Sequence, residues 1–284
     1  MSEPSKLYIV ATPIGNLGDI SRRAAETLEL VDFVAAEDTR VTAGLLNHLG
    51  IKKPLVSCYR HNENDRADHI IDRILAGENC ALCCDAGTPA VSDPGEELVR
   101  RAAARGVVVE PIPGPCAAIA ALCASGIATG RFCFEGFLPM SKKNRRERLS
   151  EIRDERRTLV FYEAPHKLRN TLNDLLDTLG DREITLAREL TKIHEEIDRT
   201  TLFEAVAQYK EREPRGEYAL VVAGAAKAES APCDCDPVRA LALISELRAQ
   251  GVSLPDACKE TSVRTGIKKG ELYRLALSEV ENEK

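Results

Sequence analysis

Four clusters in the 284-residue chain combine residue types that could do chemistry. Asp85 to Gly95 reads DAGTPAVSDPG. Its Gly and Pro residues let backbone N–H and C=O groups approach a bound molecule closely, and the same composition also suits a tight strand-to-helix connection capped by Ser92 or Asp93. Glu37-Asp38-Thr39-Arg40 sets two carboxylates beside a guanidinium. The acids could orient a hydroxyl or an amine while Arg40 grips a phosphate or carboxylate, or the group could be a helix cap with a local ion pair. Glu163-Ala-Pro165-His166 offers His166 as a proton acceptor or phosphate contact, or a helix start with Pro in its first turn. The run from Arg188 and Glu189 through Thr191, Lys192, His194 and Glu195 is dense in charge, as either a cleft edge or a solvated loop is.

A fifth cluster is basic. Lys142, Lys143, Arg145, Arg146 and Arg148 crowd the start of KKNRRERLSEIRDERR on a chain whose net charge is −6. Local basicity on an acidic protein fits one negatively charged partner, of which RNA backbone is the obvious example. A solvated helical face would have the same composition.

These groups need a frame to hold them together. Lys6 to Thr12, Val31 to Ala36, Pro54 to Tyr59, the apolar run at Cys80 to Cys84 and Val107 to Ile112 read as strands. Helical patterns separate them, one with Ala67, Ile70, Ile71, Ile74 and Leu75 on a single face. This alternation predicts an α/β fold with a parallel sheet covered by helices over residues 1–115. The polar turns, including Pro13-Ile-Gly15, Tyr59 to Glu63 and Pro113-Gly114-Pro115, all follow strands and therefore share one edge and one crevice. The glycine spacing matches neither a dinucleotide fingerprint nor a P-loop. From Ala117 onward, Phe132 to Leu138, Thr158 to Tyr162, Glu183 to Arg188, Thr200 to Phe203 and Tyr218 to Val222 read as strands at irregular intervals. They predict a second α/β domain with a mixed sheet over residues 116–226. A polar linker follows, then three short helical patterns over residues 237–284, a helix-turn-helix-like appendage.

Composition narrows the function classes. Hydrophobic residues make up 44% and aromatics 4%, with no Trp, so a stacking platform for non-specific single-strand binding is not expected. No apolar run has the length to cross a bilayer, and MSEPSK holds no apolar signal-type stretch, so the expected location is cytoplasmic. Seven of the ten cysteines (58, 80, 83, 84, 116, 123 and 133) fall in apolar patterns and read as small buried hydrophobes of a reducing compartment. Cys233 and Cys235 lack the further ligands that zinc needs, and no metal is expected.

Taken together, ATPIGNLGDIS, EDTR, YRHNE, DAGTPAVSDPG, PIPGP, FLP before the basic run, YEAPHKL, REL-TK-HEE and GEYALVV closely resemble the small-subunit (16S) ribosomal RNA 2′-O-methyltransferase I family of the tetrapyrrole-methylase superfamily. The resemblance spans about Leu7 to Ala223, and the helical tail looks like that family's C-terminal domain. It implies methyl transfer from S-adenosyl-L-methionine to the ribose 2′-hydroxyl of a cytidine in the decoding region of small-subunit rRNA. It also implies a homodimer, with the cofactor in the cleft between the two α/β domains. By motif, the cofactor contacts would be Pro13, Gly15, Asp85, Gly87, Thr88, Ser92, Pro113, Gly114 and Ala117. Cys83-Cys84 and Cys116 stand where relatives more often carry other small residues, a change that keeps volume small.

The 2′-hydroxyl is a poor acid, so a positioned side chain is expected to take its proton late in the reaction. Asp38, Glu163, His166, Glu189 and Lys192 are the candidates. Arg40, Lys142, Lys143, Arg145, Arg146 and Arg188 are the expected RNA contacts. Two alternatives fit the same motifs less fully: a precorrin-type tetrapyrrole methyltransferase, and a non-catalytic RNA-binding assembly factor on the small (30S) subunit. A phosphohydrolase built on Glu37, Asp38, Asp85 and Asp93 is a more distant one.

Overall fold

The computed structural model describes residues 4–59, 63–226 and 237–282. Arg60, His61 and Asn62 of the third turn, and Cys233 and Cys235, lie outside the described residues.

The first half alternates strand and helix: β1 Lys6–Val10, α1 Arg22–Leu30, β2 Phe33–Ala36, α2 Thr39–His48, β3 Leu55–Ser57, α3 Glu63–Leu75, β4 Cys80–Cys83, α4 Glu96–Ala104 and β5 Val108–Ile112. The strands form one sheet in the order β3-β2-β4-β1-β5, and every pairing is parallel. β2 and β4 are buried along their whole length, which explains why they read as unbroken apolar runs rather than alternations. One face of the sheet packs Leu7, Phe33 and Leu82 against Ile70, Ile71 and Leu98 of α3 and α4. The other packs Tyr8, Val10 and Val34 against Ala24, Leu28 and Leu46 of α1 and α2. Each fully buried Leu or Phe here contributes about 1.5–3 kcal/mol.

The next stretch contains α5 Ala117–Ser125, β6 Phe132–Gly136, α6 Lys142–Glu151, β7 Thr158–Glu163, α7 Pro165–Leu179, β8 Glu183–Arg188, β9 Glu196–Thr201, α8 Leu202–Glu211 and β10 Tyr218–Val222. Their sheet runs β6-β7-β10-β8-β9 and is mixed: only β6 and β7 are parallel. α5 covers Val160, Ala187, Ala219 and Val221 on one face. Leu159, Phe161, Leu186 and Leu220 face α6, α7 and α8 on the other. Both sheets belong to one compact unit ending at Ala225.

Three local expectations are corrected. The strand expected at Thr200 to Phe203 is the end of β9, which begins at Glu196 and stops at Thr201, so Leu202 and Phe203 fall outside it. The Thr201 hydroxyl accepts from Glu204 N–H and caps α8, whose buried face is Leu202, Ala205, Val206 and Tyr209, so helical periodicity begins where the strand reading continued. Neither Ser92 nor Asp93 caps α4; that position is Gly95, at φ 127°, where an added Cβ would stand 2.6 Å from Leu82 Cδ2. Among the cysteines expected to be buried, Cys123 on α5 is exposed.

The second unit is three helices, α9 Pro237–Ala249, α10 Leu254–Thr265 and α11 Lys269–Asn282, around Ala240, Ile244, Leu247, Ala257, Cys258 and Leu272. Gly266, at φ 72°, closes α10 in the left-handed conformation. No helix among the described residues is long and apolar enough to cross a membrane.

Candidate active site

Because every strand of the first sheet is parallel, the turns after β1, β2, β4 and β5 emerge at one edge. The second sheet brings its own polar ends together differently. β10 runs antiparallel to β7 and β8, so Tyr218 at its start pairs with both Glu163 and Arg188 at their ends. A cavity of about 360 Å³ lies between these edges, with Ile14, Glu37, Asp85, Gly87 and Thr88 on the side of the first sheet. Phe137, Tyr162, Glu163, Glu189, Lys192 and Glu217 face it from the second.

On the first side, backbone pairing fixes the turns. Thr12 N–H donates to Gly87 O at 2.8 Å and Gly87 N–H returns to Thr12 O at 3.1 Å, tying the β1 turn to the β4 turn. Gly87 adopts φ 89°, and the Thr88 hydroxyl donates to Pro115 O at 3.1 Å, which draws in the β5 turn. Gly114 lets that turn approach: an added Cβ would lie 3.0 Å from Ala11 Cβ. Ala90 and Ser92 also take positive φ, at 66° and 68°, unusual for residues with side chains. Asp85 Oδ1 accepts from Asp38 N–H at 3.0 Å, and Glu37 Oε2 accepts from Asp85 N–H at 3.3 Å. Burial raises the Asp85 carboxyl above its ordinary value.

On the second side, Glu163 is buried. Its Oε1 accepts from Ala164 N–H at 2.9 Å and its Oε2 accepts from the Thr171 hydroxyl. Lys192 Nζ donates to Glu189 Oε1 and to Glu217 Oε2, both at 2.9 Å. Burial disfavours the Lys192 charge, but the bonds to Glu217 and Glu189 outweigh it and hold the ammonium above its ordinary value. Gly15 leaves room for this lysine, since a Cβ there would overlap Lys192 Cγ. Tyr162 OH accepts from Ala118 N–H at 2.9 Å, and its ring meets Phe134 and Phe137 edge-on.

The sequence-predicted residues divide clearly. Asp85, Gly87, Thr88, Ala117, Glu163, Glu189 and Lys192 line the cavity. Pro13, Gly15, Ser92, Pro113 and Gly114 do not, although their neighbours Ile14 and Cys116 do, so these residues shape the turns. Asp38 does not line it either. It caps α2 and forks with Arg40, whose guanidinium holds the Asp38 carboxyl down at about 2. His166 is exposed in the first turn of α7 and is not part of the lining. Arg188 is mostly buried, 3.6 Å from Glu196, and its Nε and Nη1 have no hydrogen-bond partner among the described residues.

Lys142 and Lys143 are exposed on α6, and Lys143 is 3.9 Å from Glu147. Arg145 is turned inward and bonds Asp174 at 2.6 Å and Thr171 at 2.8 Å. Arg146 is exposed and opens on a second depression, of about 540 Å³. Phe137, Tyr162 and Glu217 were not anticipated. The one available signal was the acid of GEYALVV at the head of a strand, whose antiparallel register carries it to the ends of β7 and β8.

Known proteins place this arrangement. The description "Tetrapyrrole (Corrin/Porphyrin) Methylases" matches residues 6–206. A protein of Synechocystis named "Ribosomal RNA small subunit methyltransferase I" is 46% identical over 272 residues, 95% of this chain and 97% of its own. One of the same name from Escherichia coli O157:H7 is 47% identical over 277 residues, 96% of this chain and 95% of its own. The chain belongs to the tetrapyrrole methylase family. Within that family it groups with the small-subunit methyltransferases I, and those matches run well past residue 206 into the C-terminal helices. Among solved structures, uroporphyrin-III-C-methyltransferase from Thermus thermophilus has a TM-score of 0.56 at 22% identity, covering 77% of this chain and 94% of its own. The methyltransferase CobJ has a TM-score of 0.61 at 19% identity, over 78% and 95%. At that distance the likeness is one of fold.

Proposed function

We propose that the chain transfers the methyl group of S-adenosyl-L-methionine to the ribose 2′-hydroxyl of a cytidine in the decoding region of small-subunit ribosomal RNA, acting as a homodimer. The observation that carries this reading is the charge of the cavity. Glu37, Asp85, Asp93, Glu163, Glu189 and Glu217 line it against the single cation Lys192, six acids to one base. Such a lining suits a sulfonium cation and repels a bare phosphate. The lining also fits the rest of the donor, because Ile14, Val91 and Tyr162 supply an apolar wall for a nucleobase.

When bound, S-adenosyl-L-methionine supplies an already activated methyl group, so the protein has to align an oxygen with it and keep water out. Glu163 is the side chain placed to accept the 2′-hydroxyl proton. It lines the cavity, and two hydrogen bonds fix its carboxylate. Lys192 is held as an ammonium by Glu189 and Glu217, which fits it for donating a hydrogen bond and not for taking a proton. Asp38, already forked to Arg40, is too weak a base for that task.

The test is incubation with labelled S-adenosyl-L-methionine and small subunits lacking the modification, followed by mapping of the label. Label on a cytidine ribose supports the proposal. Transfer to a precorrin, or RNA binding without any transfer, overturns it.

A further inference from the structure

The acidity of the cavity creates a problem that the rest of the molecule must solve. An RNA strand carries a phosphate at every nucleotide, and six carboxylates repel it from the place where its ribose has to sit. The anchoring charge must therefore lie outside the cavity yet close to its mouth. The depression beside α6 meets that condition. It is walled by α6 and the first half of α7 and floored by the segment between Gly136 and Ser141, and Phe137 of that same segment lines the cavity.

Four cations border the depression: Lys142, Arg145, Arg146 and Lys167. Arg145 is spoken for by Asp174 and Thr171, and only 15% of its side chain is exposed. Lys142, Arg146 and Lys167 form no ion pair among the described residues, on a chain that is otherwise laced with them. Lys167, on α7, lies outside the basic run visible in the sequence and joins it only through the packing of α6 on α7. The floor adds Met140, 84% exposed, and Phe137 is 55% exposed at the cavity side. Two large apolar side chains left in water beside three free cations form a surface that stacks unpaired bases while holding their phosphates. A duplex keeps its bases stacked inside and leaves none to lie on Phe137 and Met140, so the strand that this surface fits is unpaired.

We infer that the depression between α6 and α7 is the track for the single-stranded RNA flanking the target nucleotide, with Lys142, Arg146 and Lys167 on its phosphates and Phe137 and Met140 under its bases. The inference rests on the proposed rRNA methylation and adds where the polyanion lies.

The test is a salt series of binding to a cytidine-rich single-stranded RNA oligonucleotide, with the same oligonucleotide annealed into a duplex as a second arm. Arg146→Ala and Lys167→Ala should each weaken binding and flatten the slope of log K against log salt by about 0.7, and the double variant by about twice that. Lys210→Ala, on α8 outside the depression, should leave the slope alone. Arg146→Glu should weaken binding further, and S-adenosyl-L-methionine affinity should stay unchanged in every variant, showing that the fold is intact. A double variant that keeps the wild-type slope while the wild type methylates rRNA overturns the track and leaves the methylation reading standing. Equal affinity of the duplex overturns the single-stranded assignment. A wild-type protein that neither binds nor methylates RNA overturns both.

Discussion

Arg145 and Glu163 are joined through one hydroxyl. Arg145 Nη2 donates to the Thr171 oxygen at 2.8 Å, and that hydroxyl donates in turn to Glu163 Oε2. The guanidinium of α6 thus steers a carboxylate at the end of β7 without touching it. Thr171 is fully buried, so Thr171→Val leaves both Glu163 and Arg145 short of a partner in a dry setting. The expected stability loss is about 1–3 kcal/mol by urea unfolding. Methyl transfer should fall through kcat with little change in KM for S-adenosyl-L-methionine, a split that a purely structural role does not produce. Arg145→Lys should not restore the wild-type rate, because an ammonium cannot hold Asp174 and Thr171 with the guanidinium's fixed geometry.

Glu163 itself is the sharper test of proton transfer. Glu163→Gln keeps the shape and a hydrogen-bonding side chain but removes a basic carboxylate. Single-turnover transfer should drop roughly 10²- to 10⁴-fold while calorimetric cofactor affinity stays within a few-fold. A wild-type rate in this variant would leave the proton to solvent or to another group.

The cofactor side is tested at the β4 turn. Asp85→Ala removes the acceptor that fixes Asp38 N–H, together with an acid of the cavity wall. Gly87→Val places a branched side chain at φ 89°, with its Cβ 3.4 Å from Ile14 Cγ2. Asp85→Ala should weaken S-adenosyl-L-methionine at least about ten-fold, roughly 1.4 kcal/mol, and Gly87→Val should abolish binding altogether. Unchanged affinity in both would remove the donor from this turn.

How far these residues were legible depended on the distance between partners. The parallel sheet was readable because β2 and β4, buried on both faces, leave apolar runs that no solvated segment carries. The turns after β1, β4 and β5 followed from that topology alone. The sequence presents Arg145 as one cation among five, and nothing local distinguishes it from Arg146. Its fate is set by Thr171 and Asp174, 26 and 29 residues away on another helix. Glu217 reaches the cavity only through the antiparallel register of β10 on β7 and β8, which a single strand does not encode. His166 failed as a cavity residue for a related reason. Pro165 opens α7, and the helix turns the next side chain outward to solvent.

Acid should weaken the fold in part through a small set of surface carboxylates. Arg40 holds the Asp38 carboxyl at about 2, Arg100 and Arg101 hold Glu97 at about 2, and Arg157 holds Glu155 at about 2, against ordinary values of 3.8 for Asp and 4.5 for Glu. A carboxyl whose folded value is depressed binds its proton more readily when unfolded. Its stabilisation is therefore complete above the ordinary value and disappears as pH falls through the folded one. Stability from these groups should be flat above about pH 5 and decline between about pH 4.5 and 2. Because all three pairs lie at the surface, added salt should shrink the decline. Urea midpoints measured across that range, for the wild type and for Glu97→Gln with Glu155→Gln, check it: the double variant should start lower at neutral pH and show a shallower acid limb. An equally steep limb in the double variant would shift the acid sensitivity to other carboxylates.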